Sequence, residues 1–116
     1  MPALNAARVF GALDRATEGG TRAATAQEVA LDLLARGFRG RKAGEPATGK
    51  VQLVLSVMRK YHIVRSEGYG TFVLVPTAVP KTPLERAQIW DRVDNEVKDR
   101  RAAAISLGQQ ARGRRA

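Results

Sequence analysis

The sequence predicts a mainly α-helical domain with a small β-hairpin, in the order three helices, hairpin, fourth helix. Two observations predict this class. Apolar residues recur at helical spacing in segments bounded by capping residues and glycines, and one later segment has β-branched and aromatic residues on both sides of a glycine-containing turn. At 116 residues we expect one domain, because a chain of this size buries about 65% of its unfolded surface.

Capping signals place the first two helices. The first is predicted from about Ala3 to Thr17 and stops before the pair Gly19-Gly20. The second begins at the capping box Thr25-Ala26-Gln27-Glu28, in which each end's side chain accepts from the other end's backbone amide. Gly37 supplies the left-handed residue that ends this helix, and Phe38 is placed to pack back on it.

The third helix is predicted from Thr48 to about Tyr61. The hairpin pairs roughly His62–Arg65 with Thr71–Val75, because both segments favour strands. Thr82-Pro83-Leu84-Glu85 is a second capping box, with proline at the first helical position, and it opens a helix to about Leu107. The expected divisions are a domain over residues 1–80, an amphipathic C-terminal helix over 81–108 and a basic disordered tail over 109–116.

The charge of the chain is strongly basic and unevenly distributed. The formal net charge is +9 and the isoelectric point is about 11.1, so the protein attracts polyanions. Residues 1–36 are balanced, whereas residues 37–60 hold six basic residues against Glu45 alone. The sequence leaves open whether the loop over 37–47 is ordered, although its glycine and charge content suggests disorder until phosphate is bound. The six basic residues are Arg39, Arg41, Lys42, Lys50, Arg59 and Lys60.

The composition also indicates the cellular compartment in which the protein is expected. The absence of cysteine excludes a disulfide framework and a thiolate metal site. The sequence shows neither a basic leader nor a run of about 20 apolar residues. We therefore expect a cytoplasmic, nucleoid-associated protein that does not contact a membrane.

The predicted third helix has one core face and one polar face. At about 100° per residue, its valines, leucines and methionine lie on one side, and the other side carries Gln52, Ser56, Arg59 and Lys60. Amide, hydroxyl and guanidinium groups contact base edges and phosphates when a helix enters the major groove. A solvated helix face explains the same pattern, but the basic excess and the following hairpin favour nucleic acid.

The helix and hairpin together carry a family-like motif. Leu55 and Met58 are two spaced core residues, Ile63-Val64 is a short apolar strand, and Gly68-Tyr69-Gly70-Thr71-Phe72-Val73 is a Gly-x-Gly-Thr-Phe-Val turn. This arrangement resembles the end of a GntR-type winged helix-turn-helix domain. Ala24–Ala30 is similar to the start of the preceding helix in many winged-helix regulators.

The resemblance implies a winged-helix fold with the third helix, 48–61, in the major groove and the wing, 65–71, along the minor groove. The sequence departs from the family at two points. About a dozen residues, from Gly37 to Ala47, replace the tight turn between the helices, and no large effector domain follows. Ligand-controlled regulation is therefore not implied.

A phosphate-loop-like segment precedes the third helix. Gly44 to Lys50 has the spacing of that loop, but Val51 stands where a Ser or Thr would hold magnesium, and a parallel sheet does not fit. Free amides at a helix start, the helix dipole and an ammonium group nevertheless suit an anion. We therefore expect Thr48, Gly49 and Lys50 to anchor a DNA phosphate.

The sequence carries no recognisable catalytic constellation. His62 is the only histidine, and without cysteine a nucleophilic triad with a thiol is impossible. A metal site around it would need three carboxylates beside it. Acidic residues of the last helix alternate with basic ones, which suits intrahelical pairing. The prediction is that the protein is not an enzyme and has no cofactor and no metal.

The last predicted helix suggests assembly. Trp90, Val93, Val97 and Ala104 lie on one stripe, which predicts homodimerisation through this helix. The alternative is that the stripe packs against the first helix of its own domain. Dimerisation would set two recognition helices about 34 Å apart on a palindromic site.

These observations predict a sequence-specific double-stranded-DNA-binding protein, a small bacterial or phage transcriptional regulator acting as a homodimer. Two alternatives stay open: an RNA-binding or ribosome-associated winged helix, and a protein-interaction module that docks through the Trp90 helix. The predicted DNA-binding residues are Arg39, Arg41, Lys42, Thr48, Gly49, Lys50, Gln52, Ser56, Arg59, Lys60, Arg65, Tyr69 and Gly70.

Overall fold

Four helices and a small antiparallel sheet make up the parts of the chain that the structure describes. The structure, a computed structural model, describes residues 4–40, 42–68 and 70–113, with side chains through residue 107. The helices are α1 Ala6–Ala16, α2 Ala26–Ala35, α3 Thr48–Lys60 and α4 Pro83–Gly113. The strands are β1 Ala24–Thr25, β2 Val64–Ser66 and β3 Thr71–Leu74, and a 3₁₀ turn spans Pro76–Ala78. The predicted helix-rich class with a hairpin is confirmed.

The sheet has three strands in the order β1-β3-β2. β2 and β3 form the predicted hairpin with shorter strands than expected, and Val64 pairs with Leu74. On the other edge of β3, Ala24 of β1 pairs with Phe72. The sequence did not predict β1, because two residues are too few to show a strand's alternation. This short strand fixes the start of α2 against the hairpin.

Both predicted ends of α2 are confirmed. The Thr25 hydroxyl accepts a hydrogen bond from the Glu28 amide at 3.1 Å. At the other end, Gly37 has a φ of 95°, and the Phe38 amide donates to the Leu33 carbonyl at 2.9 Å. This is the Schellman arrangement, in which a left-handed glycine lets the chain turn back and satisfy the last carbonyls.

The start of α1 is capped from two directions. The Asn5 side chain accepts from the Arg8 amide at 3.0 Å. From α4, the Asp94 carboxylate accepts from the Ala6 amide at 2.8 Å, across a sequence separation of 88 residues. A carboxylate at a helix N-terminus also interacts favourably with the helix dipole. This contact joins the fourth helix to the first.

The first part of α4 packs in the domain's own core. Val93 is 0% exposed and Val97 is 5% exposed, and the Trp90 ring lies against Phe10 of α1 with centroids 4.9 Å apart. Val93 and Val97 are thus covered by their own chain and Trp90 is partly covered, which is the packing that the alternative to a dimerisation surface describes. Of that stripe, Ala104 is exposed.

The end of α4 also differs from the prediction. The helix continues past the predicted end at about Leu107 to Gly113, and of the expected tail, residues 114–116 lie outside the described part of the chain. A glycine inside a helix costs only about 1 kcal/mol, and Gly108 is followed by two glutamines and an alanine, which favour helix. Within the described ranges, no helix combines the length and apolar character needed to span a membrane.

Candidate nucleic-acid interface

The polar face of α3 is open to solvent. Gln52 and Arg59 are exposed and Ser56 is half-buried. The Ser56 hydroxyl donates to the Gln52 carbonyl at 2.9 Å, so its oxygen remains available as an acceptor. The face thus offers an amide, a hydroxyl and a guanidinium group, which are groups that contact base edges. The buried residues of the opposite side are Val51, Val54, Leu55, Val57 and Met58.

The first turn of α3 has no side-chain cap. Its N-cap is Ala47, which makes no side-chain hydrogen bond, and the first intrahelical bond runs from the Val51 amide to the Ala47 carbonyl at 3.0 Å. The amides of Thr48, Gly49 and Lys50 precede that bond, where a helix has no carbonyl of its own to accept from them. The helix dipole adds a partial positive charge here.

Two hydrogen bonds connect the ends of the turn in the loop between α2 and α3. The Gly40 amide donates to the Glu45 carbonyl at 2.6 Å, and the Lys42 amide donates to the Glu45 carboxylate at 3.2 Å. Arg39 and Lys42 are exposed at this turn. Arg41, also a predicted DNA contact, lies outside the described residues.

A groove of about 720 Å³ lies between this loop, the start of α3 and α4. It brings together four of the predicted site residues and one basic residue that the prediction missed, Arg101 of α4. Arg101 follows the buried Val97 by one helical turn, and this spacing is the signal that could have identified it. The charged lining residues are Arg39, Lys50, Arg101 and Glu45, and the apolar ones include Leu4, Phe38, Pro46 and Leu53.

The electrostatics of the groove are dominated by positive charge. Burial and, next, the neighbouring charge of Arg101 lower the pKa of Lys50 from its ordinary value of 10.5, against the opposing effect of Asp94. The two unfavourable causes outweigh the attraction to Asp94. The Lys50 ammonium is therefore partly withdrawn from water and has a second cation near it.

Lys60 lies away from the other polar residues of α3, toward α4. Its ammonium forms an ion pair with the Glu96 carboxylate, and Arg100 approaches the second oxygen of Glu96 at 3.4 Å. The Glu96 side chain is only 20% exposed. A DNA phosphate would have to compete with this carboxylate for Lys60, whereas Arg59 is exposed on the open face.

The hairpin turn carries its own ion pair. Arg65 and Glu67 are 2.6 Å apart, so the predicted phosphate contact of Arg65 also has a carboxylate partner. Gly68 and Gly70 have φ values of 86° and 67°, which is the left-handed backbone that a tight turn takes most readily with glycine. Tyr69, the remaining predicted wing residue, lies outside the described parts of the chain.

The chain was compared with known proteins at the level of families, sequences and structures. A scan against protein-family models, a search of curated proteins and a search of solved structures each found no significant match.

Proposed function

We propose that the protein is a sequence-specific double-stranded-DNA-binding protein with a winged helix-turn-helix fold, acting as a small bacterial or phage transcriptional regulator. One observation carries the proposal: α3 turns its apolar side into the core and leaves Gln52, Ser56 and Arg59 on a continuous polar face. A helix built in this way can enter a major groove without disturbing the core.

The order of the elements supports the fold part of the proposal. A winged helix-turn-helix has three helices, a short strand before the second helix and a hairpin after the third, with the strands in one sheet. Here β1 precedes α2, the hairpin β2-β3 follows α3, and the sheet order is β1-β3-β2. The long loop between α2 and α3 departs from the tight turn of that fold.

The basic residues around α3 suit the DNA backbone. In this proposal Gln52 and Ser56 contact base edges, and Arg59, Lys42 and Arg39 contact flanking phosphates. The first-turn amides of α3 and Lys50 hold one further phosphate. The hairpin turn lies along the adjacent minor groove, with Arg65 exchanging Glu67 for a phosphate.

A salt titration with a charge variant tests the assigned face. Arg59→Ala should weaken binding to duplex DNA, selected beforehand from random sequence, and should reduce the slope of log K against log salt by about one unit, since one phosphate contact is lost. Fluorescence anisotropy at several salt concentrations measures both quantities. Arg92→Ala removes the same charge from an exposed position on α4 and serves as the matched control.

The result also separates the proposal from its alternatives. If the slope of log K against log salt is the same for the Arg59→Ala and Arg92→Ala variants, the DNA-binding face is not on α3. Competition between duplex DNA and duplex RNA of equal length in the same assay tests the RNA alternative, and a preference for RNA would overturn the DNA assignment. Failure to bind any nucleic acid at low salt would favour the protein-interaction module.

We also propose that the protein acts as a homodimer, with the distal part of α4 as the contact. Residues 98–107 are exposed throughout, and Ile105 and Leu107 are 58% and 66% exposed. Ala104 and Leu107, three residues apart, share one side of this helix, and Ile105 lies about 100° around the axis from Ala104. This part of the helix lies beyond the buried Val97. A pair of such helices would bring two copies of α3 to a palindromic site.

A further inference from the structure

The groove beside α3 has the size and lining of a small-molecule site. Its volume of about 720 Å³ falls within the roughly 300–1,000 Å³ typical of ligand pockets. Leu4, Phe38 and Leu53 give it an apolar surface contributed by three different parts of the chain. The Arg8 guanidinium lies 4.9 Å from the centroid of the Phe38 ring, which helps to fix that ring in place.

The groove brings two cations from different helices together. Lys50 and Arg101 face the same space from α3 and α4, and like charges held together in partly buried surroundings repel. The acidic residue of the lining, Glu45, uses one carboxylate oxygen to accept from the Lys42 amide. Asp94, which attracts Lys50, uses one oxygen to cap α1. An added anion would relieve the repulsion.

We propose that this groove binds a small organic anion whose carboxylate lies between Lys50 and Arg101 and whose apolar body packs on Leu4, Phe38 and Leu53. A backbone phosphate of DNA has charge but no apolar body, so it would leave the apolar surface of the groove uncovered. An apolar molecule without charge would not relieve the repulsion between the two cations. The site shares Lys50 with the proposed phosphate contact, so the organic anion and that phosphate would compete for this side chain. The observations that support the site concern the protein without DNA.

A titration with 2-naphthoate tests the site on the full chain without DNA. Amide chemical shifts in a ¹H–¹⁵N correlation spectrum should move saturably for Gly49, Lys50 and Leu53. Two comparison probes separate charge from shape: 2-naphthylmethanol has the same rings without the carboxylate, and inorganic phosphate has charge without the rings. We expect each comparison probe to bind at least about tenfold more weakly, because each loses one of the two contributions.

Two variants locate the charge contribution. Arg101→Gln should weaken 2-naphthoate binding about tenfold, as one charge-assisted contact is lost, and it alters an exposed side chain on a helix, so the fold should be retained. Lys50→Gln should do the same from the other side of the groove. Lys81→Gln removes an equal charge at an exposed position outside the groove and should leave the affinity unchanged.

Several results would overturn the proposal. Equal binding of the alcohol would show an apolar cleft with no role for the cations. Shifts caused by a short duplex or by phosphate, with none caused by 2-naphthoate, would assign the groove to the DNA backbone. An equal loss in Arg101→Gln and Lys81→Gln would show general charge attraction in place of a site. DNA binding is measured in a different assay, the salt titration of Arg59→Ala. Either proposal can therefore fail while the other holds.

Discussion

Gly20 is a residue whose identity the fold restricts in two ways. Its φ is 95°, and a Cβ atom there would lie 2.8 Å from the Leu74 carbonyl oxygen and 3.2 Å from the Pro76 ring. The positive φ strains any L-residue. The added Cβ would also clash with the end of β3, and only a shift of the backbone could remove that clash. Gly20→Ala should therefore lower the free energy of unfolding by roughly 2–4 kcal/mol, measured by urea denaturation.

Gly37→Ala is the matched control for that substitution. Gly37 has the same φ of 95°, but no described atom lies within 4 Å of the added Cβ. Only the strain remains, so the expected loss is about 1 kcal/mol. Equal losses at the two positions would mean that the contact with Leu74 relaxes at no cost, which would contradict the prediction for Gly20.

His62 explains why the end of α3 was harder to predict from the sequence than the end of α2. α3 ends with a turn in which the Ile63 amide donates to the Met58 carbonyl at 3.2 Å, as the Phe38 amide does at the end of α2. At α2 the left-handed position is a glycine, whereas at α3 it is His62 with a φ of 64°. A histidine gives no signal for this backbone, so the strand was predicted to begin at His62, two residues before its start at Val64.

At the scale of elements, an ion-pair cluster joins α1 to α2. Asp32 accepts from Arg15 at 2.7 Å and from Arg36 at 3.1 Å. The hydrogen bond from Arg15, opposed by burial, and then the charges of both arginines hold the pKa of Asp32 below its ordinary value of 3.8. A carboxyl with a lowered pKa stabilises the fold above its unfolded-state pKa, and this stabilisation is lost as the pH falls through the folded-state value.

Asp32→Asn should therefore destabilise the protein near neutral pH and not in acid. We expect a loss of about 1 kcal/mol at pH 7, a modest value because both partners remain partly exposed, and no difference from the unmodified protein near pH 2. Thermal denaturation at both pH values measures it. Asp99→Asn, at an exposed position on α4, is the control. A loss that persists undiminished in acid would show that the effect of Asp32→Asn is not electrostatic.

The elements that the sequence predicted are those with local signals. The Thr25 capping box and Gly37 are short-range patterns, and both ends of α2 were placed correctly. β1 and the role of Arg101 depend on partners far along the chain. Ala24 is a strand residue because it pairs with Phe72, and Arg101 faces Lys50 because Val97 is buried one turn earlier. The pairing of Ala24 leaves no periodic trace in the sequence, and the spacing of Arg101 from Val97 gives its side of the helix but not its neighbour Lys50.

At the scale of the whole molecule, α4 has a stabilising part and an exposed part. Val93 is completely buried and Asp94 caps α1, so the first part completes the fold. The second part, from residue 98, has exposed side chains through residue 107. The sequence predicted one surface along this stripe, but the structure divides it. Val93 and Val97 are buried in the core, whereas Ala104 is exposed.

Two substitutions should separate these parts of α4. Leu107→Glu should shift the protein from dimer to monomer in sedimentation equilibrium with little change in the urea midpoint at low protein concentration, since it places a charge in exposed apolar surface. Val93→Ala should lower the free energy of unfolding by about 2 kcal/mol, because it leaves a cavity in the core, while the association constant of the folded protein stays the same. If the unmodified chain is already monomeric at millimolar concentration, the homodimer is excluded and a palindromic site with it. If Val93→Ala changes association and Leu107→Glu does not, the dimer contact lies at the start of α4, and the core assignment of Val93 is wrong.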